Sequence, residues 1–305
     1  MTNLVVLMSA SAYAAACAEF ARWAAHGRRM GGAAWEAVVY PLVGIVARPG
    51  MARSPLEATP LAACAALVVP RVVLPPPELA HYGATWARPA AARDPVGAAR
   101  LQARLDTVRA QHPRLDCYGR MHSHPWPHRQ PRPSGTDCAE HLTGALDANR
   151  AAGLPWALGL IAAAPGAGAA AWPIAAHALG AGGAITDLGP VRLVRDVDPR
   201  ERQVLARPGW ATPTGARRLD RQVAALTARG VAVTALPLHR GWYGLVLRPP
   251  GRSVRLLALP PGYPTAAPRL LRPAAGGWTG AAVRAARPRR DGYDWCPYPL
   301  MQEVS

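Results

Sequence analysis

The sequence predicts an α+β chain built on mixed sheets and divided into two domains. Three observations carry this. Over the first 195 residues, β-branched apolar runs of strand length alternate with helix-length amphipathic stretches. Residues 179–212 then turn rich in Gly, Pro and Arg, which marks a boundary, with 196–212 as linker. Beyond it, one helical stretch is followed by three short apolar runs whose connections are too short for crossovers, so they read as an antiparallel meander. The expected domains are 1–195 and 213–305. With 305 residues, half of them hydrophobic, the chain is long enough to bury a core in each.

The elements follow in order. Leu4–Met8 is an apolar strand. Ser9 or Ser11 caps a helix that runs to about Ala25 and stops near Gly27. Residues 35–47, W-E-A-V-V-Y-P-L-V-G-I-V-A, form one or two buried strands with a break near Pro41. Residues 65–74 form another strand, in which Pro70 requires an edge or a bulge. From Pro95 to about Gln111, Leu101, Leu105 and Val108 fall on one helical face. The run R-L-D-C-Y-G-R-M-H-S-H is a strand, and a helix after Asp137 ends at Gly153. Strands are expected at 156–163 and 170–178, with one more at 190–194. In the second domain, the helix spans 216–230 and the meander strands are 231–238, 241–248 and 253–259.

Composition bounds the function. All 35 basic residues are arginine, and the formal charge is +17. The arginines are scattered rather than run together among aromatics, so no nucleic-acid partner is expected. The overall bias toward Ala, Gly, Pro and Arg accords with a GC-rich coding sequence. The five cysteines are odd in number, widely spaced and without C-x-x-C, which predicts a reducing cytoplasm and no disulfide framework. The N-terminus lacks a basic stretch ahead of its apolar run, and Glu19, Arg22 and His26 interrupt the Ala-rich helix. Neither a signal peptide nor a membrane span is expected.

The chemistry gathers in M-H-S-H-P-W-P-H-R-Q-P-R-P-S-G-T-D, residues 121–137. His122 and His124 alternate along a strand end, so both imidazoles point to one face. Two such imidazoles form half of a zinc site, and Asp137, at the first turn of the next helix, can supply a third ligand. Three ligands leave one position for water, the pattern of a hydrolytic zinc site. Ser134 is placed either to cap that helix or to stabilise an oxyanion beside the metal. Glu36 is one of few acids in an apolar stretch, where a buried carboxylate needs a role or a partner. His128 is expected in solvent or near substrate, and Cys138 to face away from the site.

H-x-H-P followed by S-x-x-D between a strand and a helix resembles the JAMM/MPN-plus metalloprotease family, the JAB domain. The likeness covers about residues 1–190, including the order of elements, and implies a cytidine-deaminase-like mixed sheet. It implies that His122, His124 and Asp137 bind one Zn²⁺ with water as fourth ligand. It further implies that Glu36 activates that water and protonates the leaving amine, while Ser134 polarises the scissile carbonyl. The chain departs in two places. The loop W-P-H-R-Q-P-R-P between H-P and Ser134 is two residues longer than the roughly six of the family. Glu36 is also followed by A-V-V-Y-P-L-V-G, without the family's first glycine.

The second domain is similar to the ubiquitin-conjugating (UBC) and RWD fold. Helix, meander and then Y-P-x-x-x-P at Tyr263, Pro264 and Pro268 carry that likeness, with a fourth strand expected at Arg269–Arg272. No H-P-N element precedes a cysteine, so a non-catalytic partner-binding unit is expected. Cys296 is the one position there that a thioester-forming nucleophile could occupy.

Together the resemblances imply a zinc isopeptidase acting on a bacterial ubiquitin-like protein and its conjugates, for precursor processing or deconjugation. Its neighbours would be activating and conjugating enzymes of the same operon, as in antiphage defence. Two alternatives remain open at the level of sequence. One is release of an amino acid or sulfur group from a sulfur-carrier protein, and the other is a scaffold that binds no useful metal.

Overall fold

Ser9 closes the first strand, β1 (Val5–Ser9), and opens the first helix, α1 (Ala10–Arg29). Its hydroxyl accepts the Ala12 N–H at 3.2 Å and donates to the Pro70 carbonyl at 3.0 Å. One buried side chain thus satisfies an orphan helix donor and ties the helix start to the sheet. Ala12, Ala16, Phe20, Trp23 and Ala24 form the buried face of α1. The helix passes through Gly27 and ends two residues beyond it, at Arg29. A single glycine costs only about 1 kcal/mol, less than the burial of Phe20 and Trp23 returns.

In the computed structural model the described residues are 4–30, 34–48, 60–82, 95–112, 115–124, 131–135, 137, 142–151, 154–165, 171–180, 182–195, 210, 213–238, 242–261, 263 and 267–282. The chain divides into two compact units, the first of residues 1–52, 59–108 and 116–204, the second of 205–305 with the short segments 53–58 and 109–115.

The first unit is built on a nine-stranded mixed sheet. Its strands are β1, β2 (Glu36–Ala47), β3 (Cys64–Val73), β4 (His81–Tyr82), β5 (Gly119–His124), β6 (Trp156–Ala163), β7 (Ile174–Gly180), β8 (Ile185–Pro190) and β9 (Arg192–Val194). The order is β8-β7-β6-β5-β2-β3-β1-β9, with β4 paired to β2. β1 runs parallel to β3 and β9, and β5 parallel to β6, while the other pairs are antiparallel.

Pro41 and Pro70, each inside a strand of this sheet, are accommodated by local geometry. β2 passes through Pro41 without the expected break. On the β5 side, Pro41 falls between Val39, paired with Met121, and Val43, bridged to Asp116, so no ladder bond needs its absent N–H. β3 is an interior strand rather than an edge. Pro70 lies where Leu42↔Arg71 gives way to Gly44↔Val68, a bulge with one extra residue on β3.

The two faces of the sheet are covered differently. Toward α1 lie Met8, Val39, Leu67, Met121, Leu158 and Leu160, all buried. Toward the helix α3 (Thr143–Ala151), Leu142 and Leu146 pack against Ala157 and Leu179. Every residue of β6 is buried, as in a strand covered on both faces. The helix α2 (Pro95–Gln111) buries Leu101 and Leu105, on the face its periodicity predicts.

Two boundaries differ from expectation. β7 begins at Ile174 rather than 170, because Trp172 is held outside the ladder by Tyr13, whose hydroxyl donates to its carbonyl and accepts its N–H. The single strand expected at 190–194 is two, β8 and β9.

In the second unit, the helix α4 (Pro213–Thr227) is followed by a five-stranded antiparallel meander, β10 (Ala232–Pro237) to β14 in sequence order. Gly230, at φ +78°, turns the chain out of the helix, as its freedom at positive φ allows. Leu245 and Leu247 of β11 (Tyr243–Arg248) join Leu257 and Leu259 of β12 (Arg255–Leu259) and Leu219 and Leu226 of the helix in one core. Tyr263 is fully buried in it, its hydroxyl 3.2 Å from Gln222 Oε1. The fourth strand, β13 (Arg269–Ala274), is longer than expected. A fifth, β14 (Gly277–Ala282), was not expected and pairs with it across a two-residue turn.

Candidate metal centre

Alternation along β5 builds the site. Met121 faces the α1 side, so His122 and His124 face the α3 side, where Asp137 arrives. His124 is fixed at the strand end, where its carbonyl accepts the Ala164 N–H at 2.9 Å. All three side chains are buried, with Asp137 only 1% exposed. His122 Nε2 lies 3.0 Å from Asp137 Oδ1, and His124 Nε2 lies 3.3 Å from Asp137 Oδ2. The two Nε2 atoms are 3.1 Å apart. One ligand atom from each residue falls within 4.8 Å of the others, a set that could hold a metal ion.

Ser134 and Asp137 form a reciprocal pair. The Ser134 N–H donates to Asp137 Oδ2 at 2.7 Å, and the Asp137 N–H donates to Ser134 Oγ at 3.2 Å. This is a capping box with the acid at its third helical position. It fixes the Asp137 carboxylate before any ligand arrives. Burial by itself raises the Asp137 carboxyl, but the His122 and His124 imidazoles beside it and the Ser134 N–H outweigh it. The net effect holds the group well below the usual carboxylate range.

Asp137 Oδ1 tests whether these residues fit a cation. It is buried and has no hydrogen bond, since its 3.0 Å approach to His122 lacks hydrogen-bond geometry. A buried carboxylate oxygen without a donor is costly. Two imidazole nitrogens and this oxygen converging on one point form a donor set suited to Zn²⁺, and a cation there would satisfy all three.

Glu36 is placed by register. Val38 pairs with His122 across the antiparallel β2/β5 ladder. Two residues further, the same register sets Glu36 opposite His124 and on the same face. The regular ladder ends there, and the Ala37 N–H donates instead to the fully buried Ser123 Oγ at 2.9 Å. The serine between the two histidines therefore links the Glu36 strand to the strand of the two histidines. Its position inside the motif was the only sign of this in the sequence.

His177 on β7 was also missed. It is buried, its Nε2 is 3.0 Å from the Pro131 carbonyl, and it lines a small pocket with Arg120, His122, Asp137, Leu142, Gly159 and Ile161. A lone histidine in the apolar run A-A-H-A was the available signal.

His128, Cys138, Pro264 and Cys296 lie outside the described residues. No helix among the described residues is long and apolar enough to cross a membrane. No family model matches the chain, and no curated protein matches it.

Proposed function

We propose that the first unit is a JAB-type zinc metallopeptidase that cleaves the amide bond after the C-terminus of a ubiquitin-like protein. The observation that carries this reading is the meeting of H-x-H, S-x-x-D and an orphaned buried carboxylate oxygen at one point, with Glu36 on the same strand face. A zinc ion bound there supplies Lewis acidity and lowers the pKa of a bound water. Glu36 accepts a proton from the attacking water at its carboxylate and delivers it to the leaving amine nitrogen. Ser134 stands exposed at the edge of the site. Its oxygen accepts the Asp137 N–H, which leaves its own proton to donate to the oxyanion of the scissile carbonyl.

The second unit is a UBC/RWD-like module that binds the modifier or a conjugation partner without catalysing transfer. Its helix-then-meander order and its buried Tyr263 support that reading. Cys296 is assigned no catalytic part in it.

Incubation with fusions of ubiquitin-like proteins ending in Gly-Gly, with and without a chelator, tests the activity. Cleavage after the terminal glycine is expected, and the chelator should abolish it. Glu36→Gln should keep the metal and lose about 10²–10⁴-fold in rate. Cleavage that persists in Glu36→Gln would assign the base wrongly. A zinc-loaded protein that cleaves no such fusion would sink the isopeptidase reading.

A further inference from the structure

The spacing between His124 and Asp137 raises a physical problem. A three-ligand site needs its ligands held to within a fraction of an ångström, yet two of them come from a strand and the third from a helix beyond a 12-residue connection. The strand end is secured at His124 by the backbone bond from Ala164. The returning limb, Pro131–Gly135, carries Ser134 and leads into Asp137. A hydrogen bond to this limb from another strand comes from His177, whose ring Nε2–H donates to the Pro131 carbonyl at 3.0 Å.

The sequence of that limb makes the contact consequential. Pro131-Arg132-Pro133 fixes φ at both prolines, and Pro133 also restricts Arg132 to extended backbone. Few soft dihedrals therefore separate the pinned carbonyl from Ser134, whose N–H holds Asp137 Oδ2. His177 is itself fixed. It is buried, lies in the interior strand β7, and its Nδ1 faces Asp187 Oδ1 at 3.8 Å.

We propose that His177 is a positioning residue for the metal centre. Acting through the Pro-Arg-Pro strut and the Ser134–Asp137 capping box, it sets the Asp137 carboxylate over His122 and His124 before metal binds. This rests on the metal reading of the triad. Because the strut transmits the position, Pro131 and Pro133 are part of the site's rigidity rather than a surface ornament.

The test is Co²⁺ and Zn²⁺ affinity by chelator competition, with the Co²⁺ d–d spectrum as a report on geometry. His177→Phe keeps an aromatic ring but removes the donor, and it should weaken Co²⁺ binding about 10–100-fold and alter the spectrum. His177→Gln keeps an N–H donor and should recover most of both. Pro133→Gly leaves His177 in place, loosens only the strut, and should weaken binding several-fold even if the phenylalanine variant fails to fold. Unchanged affinity and spectrum in both His177→Phe and Pro133→Gly would overturn the role of His177. Absence of Co²⁺ binding by the unmutated protein would overturn the metal reading, and this inference with it.

Discussion

The two units bury their side chains by different rules. In the meander unit every fully buried residue among the described ones is apolar, apart from Tyr263, whose hydroxyl meets Gln222, and the half-buried Arg255 places its Nε out of solvent. The mixed-sheet unit buries Ser9, Glu19, His122, Ser123, His124, Asp137, Asn149 and His177. Several of these have evident local reasons. Glu19 accepts from Trp23 Nε1 at 2.6 Å and from Arg22 at 2.9 Å. Asn149 donates to the Tyr118 and Trp156 carbonyls. The triad is different, since its members face one another and leave a carboxylate oxygen without a donor. Polar burial is costly unless it is satisfied, so the difference separates a unit specified by its core from one that also maintains a site.

That contrast can be broken from either side. The largest stability effect should come from the meander core. Leu257→Ala removes a fully buried leucine and should cost about 2–5 kcal/mol. Chemical denaturation should show the loss in the meander transition alone, with zinc content unchanged. A parallel loss of zinc would mean that the two units are not separately specified.

Ser123→Ala should come next. It orphans the Ala37 N–H and so should cost about 1–3 kcal/mol. It should also slow the proposed cleavage about tenfold or more by releasing the Glu36 strand, within the share that acid–base catalysis supplies, while metal affinity holds. A kcat equal to that of the unmutated protein would leave Ser123 a purely structural residue.

The smallest effect concerns Tyr13. Burial, with the Cys17 hydrogen bond second, pushes its phenol up to about 12. The unfolded chain ionises near 10, so the stability from this group is complete below about pH 10. It is lost as pH rises through about 12. Tyr13→Phe should flatten that alkaline decline, and an unchanged decline from pH 10 to 12 would contradict the assignment.

Much of this architecture was legible because local pattern and tertiary role agree. The β-branched runs at 36–47 and 64–73 became strands, and Pro95–Gln111 became a helix with its predicted face inward. His122 and His124 were legible from alternation, and Asp137 from its place at a helix start. Where local pattern and tertiary role conflict, the reading failed. β8 (I-T-D-L-G-P) and β14 (G-W-T-G-A-A) hold few β-branched residues and exist because β7 and β13 offer edges to pair with. Pro41 breaks nothing, since the gap in its ladder is set by β5 and Asp116, distant in sequence. Ser123 and His177 act on backbone groups 86 and 46 residues away, a relation that no local spacing encodes.

The central claim is that His122, His124 and Asp137 form one metal site. It is tested most directly by metal analysis of the purified protein and of His122→Ala after equilibration with Zn²⁺ and removal of free ion. The account predicts about one equivalent of zinc in the unmutated protein, as three protein ligands at a single site require. It predicts an affinity reduced by more than about 100-fold in the variant, beyond the loss typical of a supporting residue. Less than about half an equivalent in the unmutated protein, or zinc unaffected by the loss of His122, would contradict it.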